Sequence, residues 1–161
     1  QRRWLAAQER AGPGSLMETL LDPFPRAWRG RLDAAGLLLL RLAFGGIMIY
    51  GHGWAKLTGF AEKSATFPDP LGVGSAASLG LAVFAEVFCA AAVLVGLFTR
   101  LATIPLIVTM VVAVFVVHAD DPFGRKELGL VYLAAYLALL ARGAGAWSVD
   151  ALWSGRRGGD A

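Results

Sequence analysis

Two oppositely charged residues lie inside apolar stretches of this chain. Arg41 lies in the stretch 34–50, and Glu86 lies in the stretch 75–98. At the centre of a membrane-spanning helix such a charge costs about 2.5–3.5 kcal/mol, so charged residues there face a bundle interior, pair with one another or line a pathway. The two residues therefore indicate either a structural ion pair that sets helix register or part of a ligand or proton pathway.

Helical geometry favours a direct pair between Arg41 and Glu86. With a rise of about 1.5 Å per residue, Arg41 lies about 15 Å from Arg31 and Glu86 about 21 Å from Arg100, so both fall near the middle of a hydrocarbon core about 30 Å thick. A guanidinium group can bind a carboxylate through two parallel hydrogen bonds. We therefore predict that the two side chains meet. Steps of about 100° per residue add three residues to the inward face of Arg41: Gly45, Met48 and His52.

A second polar layer is predicted at the outer ends of the helices. His52 ends the first apolar stretch, His118 ends the third, and Glu127 begins the fourth. Histidine exchanges a proton near neutral pH, and neighbouring carboxylates tune its pKa. This set suits a quinone, whose ring oxygens take up protons, so we predict catalytic roles for His52, His118 and Glu127. Three neighbouring residues are predicted to bind the ligand: Tyr50, Trp54 and Lys56. The alternative is that these helix-end side chains are only solvated at the interface.

Other redox cofactors fit the residues less well. Cys89 is the only cysteine, which leaves no ligand set for an iron–sulfur cluster or a thiolate zinc site. His52 and His118 could be axial haem ligands, but His118 lies beside two aspartates at a predicted water boundary. A His/Glu metal site lacks the i, i+4 spacing of helix-borne zinc motifs. We therefore expect a quinone, and neither metal, haem nor flavin.

The composition predicts the elements that must position these residues. Apolar residues make up 57% of the 161 residues and charged residues 17%, and the mean hydropathy is +0.58, which is typical of an integral membrane protein. A helix needs about 20 apolar residues to cross the membrane. The chain is therefore predicted to be all-α, with an antiparallel bundle of four transmembrane helices over about 33–52, 75–98, 101–118 and 127–147. Asp33 is the predicted N-cap of the first span.

The segments outside the spans have separate predictions. Residues 54–67 have one apolar side and are predicted to form an interfacial helix between the first two spans. Residues 1–32 are a predicted cytoplasmic arm and residues 148–161 a predicted cytoplasmic tail. Most basic residues precede the first span, occupy the second loop or follow the last span, so the positive-inside rule places both termini in the cytoplasm. The net charge of +3 thus reflects membrane topology, and we expect a lipid bilayer rather than nucleic acid as the partner.

Several short motifs together resemble the DoxX family of bacterial membrane proteins. They are Leu39-Leu40-Arg41-Leu42, His52-Gly53-Trp54 followed by Lys56-Leu57, Glu86, Gly96-Leu97-Phe98-Thr99-Arg100, Lys126-Glu127-Leu128 and Trp147-Ser148-Val149-Asp150. The resemblance covers about residues 37–152. It implies a small, multi-pass, four-helix protein of the bacterial inner (plasma) membrane.

The resemblance also implies a class of function. Members of the family are linked to quinol oxidase and thiosulfate:quinone oxidoreductase subunits, and to membrane complexes for oxidative or thiol stress. It therefore implies a quinone-linked oxidoreductase subunit whose electrons come from a protein partner or a soluble substrate. Two other classes stay open. One is a non-enzymatic scaffold or assembly subunit that binds partners or its own copies, and the other is a small-solute or proton transporter, which the lack of internal repeats disfavours.

Overall fold

A computed structural model describes residues 26–157, and every regular element within that range is helical. The predicted arm, 1–32, lies largely outside the described residues, as do the last residues of the predicted tail, 158–161. Contacts within the chain divide it after Leu32, and the bundle described below belongs to the part that begins at Asp33.

Eight α-helices and three π turns follow one another along the described residues. Helix α1 (Arg26–Met48) continues through a π-helical turn (Ile49–Gly53) into α2 (Trp54–Thr58), and a short helix α3 (Phe60–Lys63) follows. Helix α4 (Ser75–Val83) continues through a second π turn (Phe84–Cys89) into α5 (Ala90–Val95). Helix α6 (Thr99–Val112) ends in a third π turn (Ala113–Val117), and α7 (Phe123–Arg142) and α8 (Val149–Arg157) complete the described chain.

Three of these continuous helices are long and apolar enough to cross a membrane. They are Trp28–Thr58, Ser75–Val95 and Thr99–Val117. Helix α7 has 20 residues but carries Arg125, Lys126 and Glu127 near its start. Its end also differs from the predicted 147, since the helix stops at Arg142 where Gly143 adopts a φ of 79°. Such a φ is readily adopted only by glycine and interrupts the right-handed helix.

The first helix begins earlier than the sequence pattern suggested. Asp33 was predicted as its N-cap, and this is wrong because the helix already begins at Arg26. The Asp33 carboxylate instead lies 3.5 Å from Nη2 of Arg142, and both side chains are largely exposed. An exposed charge on a helix surface costs little, so nothing at Asp33 requires the helix to start there.

The helices pack around a shared core. The predicted inward face of the first helix is confirmed for three of its four residues: Arg41 and Met48 are each 1% exposed and Gly45 is buried, whereas His52 is only partly buried. A Cβ on Gly45 would lie 2.9 Å from the carbonyl oxygen of Ala90, so the glycine permits a close helix contact. The fourth long helix returns to the first, because the hydroxyl of Tyr136 donates a hydrogen bond to the carbonyl of Phe44 at 3.1 Å.

A segment after α7, residues 147–150, is bound to the turn between α5 and α6; we call it the closing segment. The Asp150 carboxylate accepts hydrogen bonds from the backbone N–H groups of Phe98 (2.7 Å) and Thr99 (3.0 Å), and so caps the N-terminus of α6. The Asp150 N–H donates to the carbonyl of Gly96 at 2.9 Å. The closing segment therefore holds the connection between the second and third long helices.

Candidate functional site

A cavity of about 610 Å³ lies between α4, α6 and residues 67–71 of the preceding loop. Its volume falls within the range of about 300–1,000 Å³ that small-molecule sites occupy. Most of its walls are apolar. The side chains that bring polar groups to it are Lys56, Ser78, Glu86, Thr109 and His118.

An ion pair lies in the wall of this cavity. Nζ of Lys56 donates a hydrogen bond to Oε2 of Glu86 at 2.6 Å, and the exposed fraction is 23% for the Lys56 side chain and 6% for that of Glu86. An ammonium group has three N–H donors, and the carboxylate takes one of them. The pair can therefore present further N–H donors and a carboxylate oxygen to a ligand that enters the cavity.

A close backbone contact joins the end of the first long helix to the second long helix. A Cβ on Gly53 would lie 2.7 Å from the carbonyl oxygen of Glu86 and 2.7 Å from Cγ2 of Val87. Real Cβ atoms do not approach other atoms so closely, so only glycine fits at this position. Gly53 thus sets the separation across which Lys56 reaches Glu86.

Each of the three apolar long helices contains a π turn, and residues of the second and third turns line the cavity. Gly53 ends the first turn, Glu86 lies in the second, and the third is followed directly by His118. A π turn alters the i→i−4 hydrogen-bond ladder and is frequent at functional sites. The cavity wall therefore includes two segments whose backbones depart from regular α geometry, beside regular parts of α4 and α6.

The loop over the cavity is tied to the start of α4 by Asp69. Its carboxylate accepts hydrogen bonds from the Ser78 hydroxyl at 2.7 Å and from the backbone N–H groups of Gly74 (2.8 Å) and Val73 (3.0 Å). These bonds, that of Ser78 first, hold the pKa of Asp69 below its ordinary value. The ionised carboxylate thus fixes the loop that covers one side of the cavity.

The loop is expected to loosen in acid. The lowered pKa means that Asp69 stabilises the folded loop above the unfolded-state pKa of about 3.9, and this contribution is lost as the pH falls through the lower folded-state pKa. The amide proton shifts of Val73 and Gly74 should titrate with a midpoint below 3.9. Ser78→Ala should raise that midpoint. A midpoint at or above 3.9 in the unsubstituted protein would contradict this assignment.

His118 lines the cavity and also binds a carboxylate outside it. Its Nδ1 lies 2.7 Å from Oδ2 of Asp121, and Asp121 also lies 3.5 Å from Nη1 of Arg125. The hydrogen bond from His118, and then the charge of Arg125, lower the pKa of Asp121. The imidazole therefore connects the cavity to a carboxylate in the loop that follows the third long helix.

His52 is placed differently from His118. Its ring lies against Tyr132 at a centroid distance of 5.6 Å, and Tyr132 stacks on Tyr136 at 5.9 Å. Tyr132 and Tyr136, four residues apart in α7, thus share one face of that helix. His52 does not line the cavity, so the structure does not bring the two histidines to one site.

Three other predicted site residues also lie away from the cavity lining. Tyr50 is 87% exposed and Trp54 is 56% exposed, both on the outer surface of the first long helix. Glu127 is exposed near the start of α7. Of the predicted ligand-binding residues, only Lys56 lines the cavity.

The predicted pair between Arg41 and Glu86 is wrong. Glu86 pairs with Lys56, whereas Nη2 of Arg41 donates a hydrogen bond to the carbonyl of Trp147 in the closing segment. A Cβ on Gly96, in the turn between α5 and α6, would overlap Nη1 of Arg41. Arg41 therefore lies at the end of the bundle that carries this turn. The depths counted from Arg31 and Arg100 had placed Arg41 and Glu86 at nearly the same level, which the structure does not show.

Several residues of this arrangement were not singled out from the sequence. Asp69 and Ser78 fix the loop, and Thr109 lines the cavity. Asp69 lies between two prolines ahead of a glycine-rich turn, and that pattern is a signal for a capping carboxylate. Thr109 lies in an apolar stretch and carries no comparable signal. Within residues 26–157, no group of three or more His, Cys, Asp or Glu side chains could hold a metal ion.

Three apolar helices of spanning length, together with a cavity whose apolar walls enclose an ion pair, define a multi-pass helical membrane protein. The family profile of DoxX matches residues 36–119, more than half of the chain. The chain belongs to the DoxX family. The predicted family assignment is thereby confirmed. Searches among curated proteins and among solved structures gave no match.

Proposed function

We propose that this chain is a membrane subunit of a redox system and that it binds a lipophilic quinone in the cavity beside Lys56, Glu86 and His118. The observation that carries the proposal is an apolar cavity of about 610 Å³ with an ammonium group, a carboxylate and an imidazole in its wall. A quinone has an apolar ring with carbonyl oxygens that accept hydrogen bonds. The cavity therefore offers both parts of such a molecule a matching surface.

The chain's own residues would bind the ring and handle protons. When bound, a quinone supplies a ring that is reduced to a quinol by two electrons and two protons. Lys56 would donate a hydrogen bond to one ring oxygen, and Glu86 would orient the ammonium group. His118 would bind the second ring oxygen through a hydrogen bond and exchange a proton with it, and the Asp121 carboxylate, 2.7 Å from Nδ1, would orient the imidazole. The electrons would come from a redox partner protein, as the resemblance to quinone-linked subunits implies.

The membrane arrangement belongs to the same proposal. Helix α7 packs against both α6 and the first long helix, so we take it as a fourth span that buries its apolar side in the bundle. The short helix α3 would then lie at the outer interface. Both termini would be in the cytoplasm of a bacterial inner membrane, since Arg100 and Arg142 lie at the opposite end of the helices from the cavity loop.

The proposal is tested by the quinone content of the purified protein. The chain is purified from bacterial membranes in a mild detergent, and bound quinones are extracted and quantified by chromatography. We expect about one quinone per chain. Replacing His118 with Ala should lower the affinity about tenfold, because one hydrogen bond worth about 1.4 kcal/mol is lost.

His52→Ala is the matched control for this experiment. It removes the same kind of side chain from the face of Tyr132, outside the cavity. Its quinone content should equal that of the unsubstituted protein, and circular dichroism should show equal helicity in both variants. Loss of quinone from His52→Ala but not from His118→Ala would show that the quinone binds outside the cavity. Absence of quinone from every preparation would contradict the proposed function.

A further inference from the structure

We infer that the cavity opens sideways between α4 and α6, and that its ligand is a long-tailed molecule whose apolar tail leaves through this gap into the bilayer. This inference rests on the proposed function, because it concerns the ligand of the same cavity. It adds the class of ligand, one with a polar ring and a long apolar chain, and the route by which that ligand enters.

Four apolar side chains mark the gap. Leu81 and Phe84 on one side are 55% and 51% exposed, and Ile104 and Val108 on the other side are 47% and 51% exposed. All four also line the cavity. A side chain that both lines a cavity and is half exposed lies at the point where the cavity meets the surface.

This surface faces lipid rather than water. The four residues belong to the helices Ser75–Val95 and Thr99–Val117, which have mean hydropathies of 2.3 and 2.4 and meet the length of a membrane span. An opening between two such helices therefore gives access to the acyl chains of the bilayer. A ligand that is dissolved in the membrane can enter there without crossing water.

The other end of the cavity lies beneath the loop 67–71, which is held in one position. Phe67, Pro68, Pro70 and Leu71 line the cavity, and Asp69 ties this loop to α4 through the Ser78 hydroxyl at 2.7 Å and the Gly74 N–H at 2.8 Å. The same carboxylate also accepts a hydrogen bond from Val73 at 3.0 Å, so three donors hold it. The tied loop lies over the end of the cavity that is nearest to Lys56, and Leu71 within it is 55% exposed.

The gap admits a ligand tail because it offers an open path, and the apolar character of the gap adds little binding free energy. Lipid tails are as apolar as leucine side chains, so a ligand tail gains little when it moves from the bilayer into an apolar gap. It needs only an open path while the ring is bound beside Lys56. Blocking the gap should therefore exclude tailed ligands and spare tailless ones.

The test compares decylubiquinone, which has a tail, with duroquinone, which has none. Apparent dissociation constants are obtained from the rise of the unfolding temperature with quinone concentration, because a ligand that binds only the folded state stabilises it by mass action. Each variant is compared with its own ligand-free protein. Val108→Trp fills the gap and should weaken decylubiquinone binding about tenfold or more while duroquinone binding stays within about twofold.

Val111→Trp is the matched control. Val111 is 38% exposed on the same helix but does not line the cavity, so its replacement should change the binding of neither quinone. Ile104→Trp blocks the gap from a second position and should reproduce the effect of Val108→Trp, which guards against a folding defect in one variant.

The possible outcomes distinguish a failure of the lateral opening from a failure of the proposed function. Equal decylubiquinone binding in Val108→Trp, Ile104→Trp and the unsubstituted protein overturns the lateral opening and leaves the proposed function intact. Equal weakening of both quinones in the gap variants also overturns it, because the tail would then have no separate path. If neither quinone raises the unfolding temperature of the unsubstituted protein, the proposed function fails and the inference fails with it.

Discussion

Replacing Gly53 with Ala is expected to destabilise the bundle by about 3 kcal/mol, because inserting a methyl group into a filled helix contact forces the backbones apart. The added Cβ would lie 2.7 Å from the carbonyl oxygen of Glu86, an atom of a helix backbone that cannot rotate away. Unfolding by sodium dodecyl sulfate in mixed micelles, followed by circular dichroism, measures the loss. The same displacement should also lengthen the contact between Lys56 and Glu86.

Gly51 offers a matched control two positions earlier in the same π turn. A Cβ there would meet only Cγ2 of Ile47, at 3.9 Å, which is an ordinary contact. Gly51→Ala should leave stability unchanged or raise it by about 0.5–1 kcal/mol, since alanine is less flexible than glycine in the unfolded chain. Equal stability of the two variants would show that the close contact at Gly53 does not hold the helices together.

The second large effect concerns the ion pair. Lys56→Leu should destabilise the protein by about 3–5 kcal/mol, because it leaves a buried carboxylate without its partner. Glu86→Leu should cost less, since the Lys56 side chain is 23% exposed and its flexible stem can carry the ammonium group to water. The same detergent unfolding assay measures both variants.

The double variant, Lys56→Leu with Glu86→Leu, is the control for this asymmetry. Replacing both members of a buried pair with apolar residues is often neutral, so the double variant should recover most of the stability that Lys56→Leu loses. It should nevertheless bind quinone about tenfold more weakly, because the ring has lost its hydrogen bond from Lys56. Double-variant stability as low as that of Lys56→Leu would contradict the role of the pair as a mutually compensating buried interaction.

Local periodicity predicted a good part of the fold. The buried face of Arg41, Gly45 and Met48 and the stacked pair Tyr132 and Tyr136 follow from a repeat of 3.6 residues, which depends only on neighbours in sequence. The tight connection between the second and third long helices likewise follows from the short distance between two apolar stretches. These features need no knowledge of which helices touch.

Contacts between helices that are far apart in sequence could not be predicted from local periodicity. Both Arg41 and Glu86 are buried as predicted, but their partners depend on how far one helix slides along the next, and that is set by close contacts at Gly45 and Gly53. Arg41 also meets the carbonyl of Trp147, a backbone group that no residue pattern signals. The functional roles assigned to His52, Glu127, Tyr50 and Trp54 stay predictions.

The π turn Ile49–Gly53 determines the direction in which the end of the first long helix faces. Such a turn contains one residue more than an α-helical turn, so every side chain after it is rotated by about 100° relative to an uninterrupted α-helix. Without that extra residue, Lys56 would point about a quarter of the way around the helix from its present position beside Glu86. The ion pair therefore depends on the rotation of the helix at position 56 as much as on the lysine itself. A chain with a lysine at this position but no π turn would not form the pair.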